Sequence, residues 1–269
     1  MSDQVSSCGD DMLLVDMGNS CLEFGLLRDE EMIGCWRLSS ERNLTSDELA
    51  LKLRGLLNIA AGGEQKPTLR GIMAASVVPH LDPVLGEACV LVFGVCPLFV
   101  GSPGVKTGMA VDYKNPREVG ADRIVNAVAA REAFGTPVIV MDCGTATTFD
   151  VVSAAGHYAG GLILPGMEVA LQALAGRAAK LPEVSFSASD ELIARDTAGS
   201  MQAGSYWATV DGLNGIIRRL RDLPEYGDAT VVATGGLAGR IMADMQGVDE
   251  YRPQLTLQGL QLLARRHFA

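Results

Sequence analysis

The stretch VIVMDCGTATTFDVV (Val138–Val152) begins like a core strand of an α/β protein and then changes character. Val138 to Met141 carries no charge, as a strand buried on both faces would. The run breaks at Asp142, meets Gly144, and presents hydroxyls at Thr145, Thr147 and Thr148 before Asp150. LLVDMGNSCLEFGLL (Leu13–Leu27) has the same shape: an apolar run, then Asp16, Gly18, Asn19 and Ser20. Asp16 and Asp142 stand 126 positions apart (142 minus 16), close to the length of one domain. The two strand-turns therefore open two similar halves, which points to an old duplication kept in the order of elements rather than in residue identity.

The rest of the chain fits around these turns. Residues 1–10 read as a loose tail. Glu23–Leu27 and Met32–Leu38 continue a meander around the charged turn RDEE. TSDELALKLRGLLNIA is a helix that Thr45 or Ser46 can cap, with Leu49, Leu53, Leu56 and Leu57 on one face. AGGEQKP is a loop. GIMAASVVP is a strand stopped by Pro79, LDPVLGEACVLVF a helix, and CPLFVG a short strand. TGMAVDYKNPREVGADR is irregular. A helix over 121–134 ends at Gly135, a C-cap. After the second turn, GGLILPG is expected to break the strands, with helices over MEVALQALAGRAAKL and from Ala198 to Leu223. ATVVATGG is a further strand running into glycines, and TLQGLQLLARRHFA a closing helix.

Composition narrows the function classes. The chain has 269 residues, 48% hydrophobic and 20% charged, enough for a large packed core. Its formal net charge of −10 disfavours nucleic acid and anionic lipid as partners. No apolar run approaches the ~20 residues of a membrane helix. The N-terminus, MSDQVSSCGDD, is polar and acidic and does not read as a signal peptide. Six cysteines, none in C-x-x-C and none near a histidine, lack zinc spacing and read as free thiols of a reducing cytosol. A cytoplasmic location follows.

An Asp-x-Gly turn after a strand is by itself an ordinary turn. The same atoms can also do chemistry. Glycine admits a ligand close to the backbone, and successive N–H groups with Asn, Ser and Thr hydroxyls make a nest for phosphate oxygens. A carboxylate beside such a nest becomes useful when a cation lies between it and the phosphate. Neither G-x-x-x-x-G-K-[ST] nor G-x-G-x-x-G occurs, so neither a P-loop enzyme nor a dinucleotide-binding dehydrogenase is supported. VVATGGLAG is either a tight strand-helix connection or a place where backbone packs against a base or ribose. GADR (Gly120–Arg123) opens a helix. Asp122 there either favours the helix dipole or serves as a base for a substrate hydroxyl. Arg123 could hold a substrate carboxylate with its forked donors. Tyr113 stands just upstream.

VDMGNS, SVVP, YKNPREVGADRIVNAVAA, MDCGTATTFDVV, GGLILPG, ATGG and LTLQGL stand in this order along the chain. Together, over about Leu13 to His267, they make the sequence resemble type III pantothenate kinase, a bacterial family of the acetate and sugar kinase, Hsp70 and actin superfamily. The resemblance implies an α/β fold of two actin-like (ribonuclease H-like) domains, over 11–115 and 116–269, with a nucleotide cleft between them. It implies phosphorylation of the 4′-hydroxyl of pantothenate by ATP, the first step to coenzyme A, in a homodimer that uses Mg²⁺ and a monovalent cation, K⁺ or NH₄⁺. Residue by residue, Asp16, Met17, Gly18, Asn19, Ser20, Cys21, Leu22 and Glu23 look like the ATP phosphate site, with Thr145 a further ATP contact. Asp142 looks like the monovalent-cation ligand and Asp122 like the catalytic base. Tyr113, Gly120, Ala121, Asp122 and Arg123 look like the pantothenate site, joined by Thr197, from the same protomer or across the dimer.

Three positions depart from the family pattern. Ser20 stands where the family usually has Thr, which keeps the hydroxyl, and Cys143 where it has Phe. Asp196 replaces the usual Asn before Thr197, and its charge beside an anionic substrate points to weaker binding. Two other readings compete with the kinase: a nucleotide-binding regulator on the same scaffold, and a superfamily enzyme acting on sugar or acetate. The joint presence of Asp16, Asp122, Arg123 and Asp142 favours the kinase over a mere binder, and GADR with YKNP favours pantothenate.

Overall fold

The computed structural model describes residues 11–29, 31–60 and 68–268. The tail with Cys8, Glu30 of the turn RDEE and the loop AGGEQKP lie outside the described residues. The chain divides into two compact units. One holds the described residues up to Gly108, Arg117–Val125 and Thr256 onward; the other holds Met109–Pro116 and Asn126–Leu255.

The first unit is built on a five-stranded mixed sheet of β1 (Asp11–Met17), β2 (Cys21–Arg28), β3 (Glu31–Ser39), β4 (Leu69–Ser76) and β5 (Leu98–Phe99), in the order β3-β2-β1-β4-β5. β1 pairs antiparallel with β2 and parallel with β4, so it is the central strand. Burial on both faces explains its unbroken apolar run: Leu13, Leu14 and Val15 are all buried. Helices α1 (Ser46–Ala60) and α2 (Asp82–Phe93) supply Leu49, Leu53, Leu85 and Cys89 to the same core as Leu13, Val15 and Phe24. A capping box starts α1: Glu48 Oε2 accepts from the Thr45 amide at 2.9 Å, and Thr45 Oγ1 accepts from the Glu48 amide at 3.3 Å.

The second unit repeats the plan. Its strands are β6 (Val138–Cys143), β7 (Ala146–Val152), β8 (Tyr158–Pro165), β9 (Thr230–Thr234) and β10 (Glu250–Tyr251), in the order β10-β9-β6-β7-β8. Read from the other edge this is the first unit's order, with β6 in the place of β1, antiparallel to β7 and parallel to β9. Val138, Ile139, Val140 and Met141 are fully buried, as the opening stretch required. Helix α4 (Met167–Arg177) and the long helix α5 (Thr197–Arg221) bring Leu171, Val210, Leu213 and Ile217 into the core of Ile139, Met141 and Val231. Helix α3 (Ala121–Phe134) carries the chain from one unit to the other, and α6 (Leu255–Phe268) closes it.

Two expectations fail. GGLILPG does not break the strands; Gly160 to Pro165 lie within β8. β8 is an edge strand, with a ladder on one side only, so glycine and proline cost it little. Gly160 has φ 127° and sits where the pairing with β7 slips between Val151 and Val152. The helix expected through Leu181 stops at Arg177.

Two helical glycines give opposite expectations in one unit. A Cβ on Gly259 of α6 would stand 2.4 Å from the Val125 carbonyl oxygen, while one on Gly55 of α1 would meet nothing within 4 Å. Gly55→Ala should stabilise by about 0.5–1 kcal/mol, and Gly259→Ala should destabilise by about 1–3 kcal/mol through overpacking. Denaturant midpoints of the two variants check the opposite signs.

Candidate active site

In the first unit the turn between β1 and β2 is closed by a hydrogen bond from the Gly18 amide to the Cys21 carbonyl, 2.9 Å. Asp16 lies opposite Glu23 in the pairing of these strands. Glu23 is ion-paired with Arg37 on β3, N to O 3.2 Å, and also accepts from the Cys35 thiol. Burial pushes the Cys21 thiol pKa up, with Glu23 and Asp16 adding to the rise and Arg37 opposing it. Burial and Glu23 likewise push Cys35 up to about 11. Both thiols are therefore protonated at neutral pH. Asn19 and Ser20 are exposed at the tip. Among the turn's neighbours, Arg37 carried no sequence signal, because it becomes one only when β3 pairs with β2.

The same unit brings the helix of GADR to this turn's neighbour strand. The Val77 amide donates to the Met17 carbonyl, 3.0 Å, tying the end of β4 to the end of β1. The Val77 side chain lies 3.3 Å from where a Gly120 Cβ would stand, and the Asp122 carboxylate 2.5 Å from it. Asp122 thus folds back over Gly120, and its Oδ1 accepts from the Arg123 amide at 2.7 Å. Burial raises its pKa above the usual Asp value, against the lowering effect of that hydrogen bond and of the Arg123 charge. Arg123 is buried, while Asp122 itself is half-buried.

In the second unit the turn after β6 is enclosed on several sides. The Gly144 amide donates to the Ala146 carbonyl, 3.0 Å, the counterpart of the Gly18 bond. The Gly166 amide, just past β8, donates to the Thr145 carbonyl, 3.1 Å, and Leu237, just past β9, donates to the Cys143 carbonyl, 3.0 Å. Gly235 has φ 93°, and a Cβ there would stand 2.4 Å from Asp142 Oδ1 and 2.6 Å from the Cys143 amide nitrogen. Only glycine fits. So ATGG packs against the carboxylate of Asp142, a contact neither reading of its sequence included. Asn126 of α3 donates from Nδ2 to Asp142 Oδ2 at 3.0 Å. Asn126 was missed in the sequence; its only signal there was its place four residues after Asp122.

Tyr113 is 39% exposed and meets Tyr158 edge-on, centroids 6.4 Å apart. Tyr158 in turn donates to buried Asp150 at 2.7 Å. A Cβ at Gly160 would meet Tyr113 Cε2 at an ordinary 3.8 Å, so it is the φ of 127° rather than space that favours glycine there. Thr197 begins α5 and lines a cavity of about 610 Å³ with Thr147, Leu164, Ser200 and Met201. Asp196 is the N-cap of α5: its Oδ1 accepts from the Gly199 amide at 2.8 Å. The carboxylate that replaces Asn is engaged with the helix terminus, a role for which Asn and Asp are equivalent.

The residues fit the groups the resemblance implies. Both turns carry hydroxyls suited to phosphate, at Ser20 and Thr145, and the cradle at Asp142 is one that a Cβ on Gly235 would fill. Among the described residues no group of three His, Cys, Asp or Glu side chains encloses a metal ion. Mg²⁺ does not need one, since it is commonly held by one or two carboxylates plus substrate phosphates.

A family model described as type III pantothenate kinase matches residues 12–219. The chain belongs to the type III pantothenate kinase family. A Moorella thermoacetica protein of that name is 45% identical over 256 residues, 95% of this chain and 99% of its own. One from Listeria innocua is 43% identical over 257 residues, 95% and 97% of the two chains. Among solved structures, the ethanolamine utilization protein EutJ from Carboxydothermus hydrogenoformans superposes with a TM-score of 0.53 at 12% identity, covering 94% of this chain and 89% of its own. That likeness is one of fold.

A raised pKa has a thermodynamic signature. If Asp122 binds its proton more tightly folded than unfolded, its contribution to stability is full below about pH 3.9 and is lost as pH rises through the folded value. Asp122→Asn removes this loss. The difference in melting temperature between variant and wild type should move in the variant's favour as pH rises from 4 to 8, as read by thermal scans across that range.

Proposed function

We propose that this chain transfers the γ-phosphoryl group of ATP to the 4′-hydroxyl of pantothenate. The observation that carries the reading is the Asp122 carboxylate of a chain in this family, half-buried at the start of α3 with desolvation raising its pKa above the usual Asp value. Asp122 accepts the proton of the 4′-hydroxyl while that oxygen bonds to the γ-phosphorus and the bond to the β-phosphate oxygen breaks, releasing ADP. Burial favours this step, because a carboxylate short of solvation takes up a proton more readily. Arg123 pairs with the pantothenate carboxylate, and Tyr113, Gly120, Ala121 and Thr197 complete the substrate contacts.

Asp16 to Glu23 hold ATP phosphates at the turn whose tip carries the Asn19 and Ser20 side chains, and Thr145 adds a contact from the second turn. Asp142 holds a monovalent cation, K⁺ or NH₄⁺. Mg²⁺ bound with the nucleotide would neutralise phosphate charge, and Asp16 would be the carboxylate to hold it. Positioning and charge neutralisation of this kind supply most of phosphoryl-transfer catalysis. The working unit is a homodimer, which the exposed Leu162 and Ile163 on edge strand β8 and Leu192 and Ile193 beyond α4 support. The compartment is the cytoplasm. In support, the described cysteines are all free, and no helix among the described residues is long and apolar enough to cross a membrane.

A coupled assay of ADP release with ATP, Mg²⁺ and K⁺ tests the reading. ADP should appear only with pantothenate, and its kcat/KM should fall on the acid side with a midpoint above the ~3.9 of an exposed Asp. Asp122→Asn should cut turnover by about 10²–10⁴-fold with ATP binding retained. ADP release independent of pantothenate, or a folded protein that binds ATP and releases none, would remove the assignment.

A further inference from the structure

We propose that Asn126 is a positioning residue for the cation site at Asp142; this rests on the reading of Asp142 given above. Asn126 sits in the interior of α3, where Asn is a poor helix former, and is 1% exposed. A buried amide costs stability unless it is hydrogen-bonded. Here it donates to Asp142 Oδ2 at 3.0 Å. The direction is fixed by chemistry, since an ionised carboxylate only accepts.

The choice of residue bears on function. An apolar side chain at position 126 would pack without the polar cost. A lysine or arginine would neutralise Asp142 and leave no charge for a mobile cation. A neutral amide orients the carboxylate without itself cancelling its charge. Gly235 lies on the other side, where a Cβ would stand 2.4 Å from Oδ1, and adds no charge either. The spacing adds a second consequence. Asp122 and Asn126 are four residues apart on α3 and so lie on one helix face. One helix therefore carries the proposed base and, one turn later, the anchor of the proposed cation ligand.

The test is a double-mutant comparison of the full-length protein, with ADP release measured against K⁺ concentration. Asn126→Ala should raise the half-activating K⁺ concentration about tenfold, as expected for losing one hydrogen bond to a charged group, with pantothenate KM changed less than about twofold. The effect should vanish in an Asp142→Asn background, because the two act through one carboxylate. Asn126→Leu, close in volume and a better helix former, guards against misfolding: it should keep the melting temperature and still shift the K⁺ dependence. An Asn126 effect of equal size with and without Asp142, or a Leu variant with wild-type K⁺ dependence, would overturn the proposal. If Asp142→Asn alone leaves the K⁺ dependence unchanged, the cation reading of Asp142 fails instead, and this proposal falls with it.

Discussion

The second unit is organised around one constraint: the Asp142 carboxylate has to be held in one orientation at the end of a buried strand. A carboxylate partly drawn out of water is costly unless paired or hydrogen-bonded. The Asn126 amide meets part of that cost on one oxygen, and the Gly235 backbone lies close to the other. The neighbouring segments are set by the same turn. β8 ends in a glycine whose amide reaches Thr145, and β9 runs into a glycine pair whose successor Leu237 reaches Cys143. Each closes on a backbone atom of the turn, so its shape does not depend on any one side chain.

The first unit uses the same sheet order and the same glycine-to-carbonyl closure, but balances its charge differently. There Glu23 is paired with a resident cation, Arg37. At Asp142 one donor is the uncharged Asn126 amide. In our reading that copy takes the exchangeable monovalent cation. The copy beside Glu23 and Arg37 takes phosphates. Asp122 adds a third environment, a helix N-terminus where desolvation outweighs the hydrogen bond and charge that favour the ionised form.

Much of this was legible in the sequence because the signals were local. The uncharged runs before Asp16 and Asp142 announced two central strands, and Gly135 ended α3 at the expected place, with φ 78°. The Thr45–Glu48 box and the Asp122–Arg123 start could be read from spacing alone. What escaped depends on pairing across the fold. GGLILPG reads as a breaker until β8 is known to be an edge strand. Asn126 reads as an indifferent helix residue until β6 is placed beside it, and Arg37 as a surface charge until β3 pairs with β2. Asp196 looked like a liability to an anionic substrate; the N-cap of α5 gives its carboxylate a partner that the linear sequence does not show.

The central claim is that a monovalent cation sits on the Asp142 carboxylate when ATP is bound. Thallium(I) replaces potassium in oxygen-lined sites and scatters anomalously. Crystals grown with ATP and thallium(I) in place of potassium should show an anomalous peak within coordination distance of an Asp142 oxygen. A fully ordered nucleotide with no such peak at Asp142, or with the peak at another carboxylate, would contradict the claim.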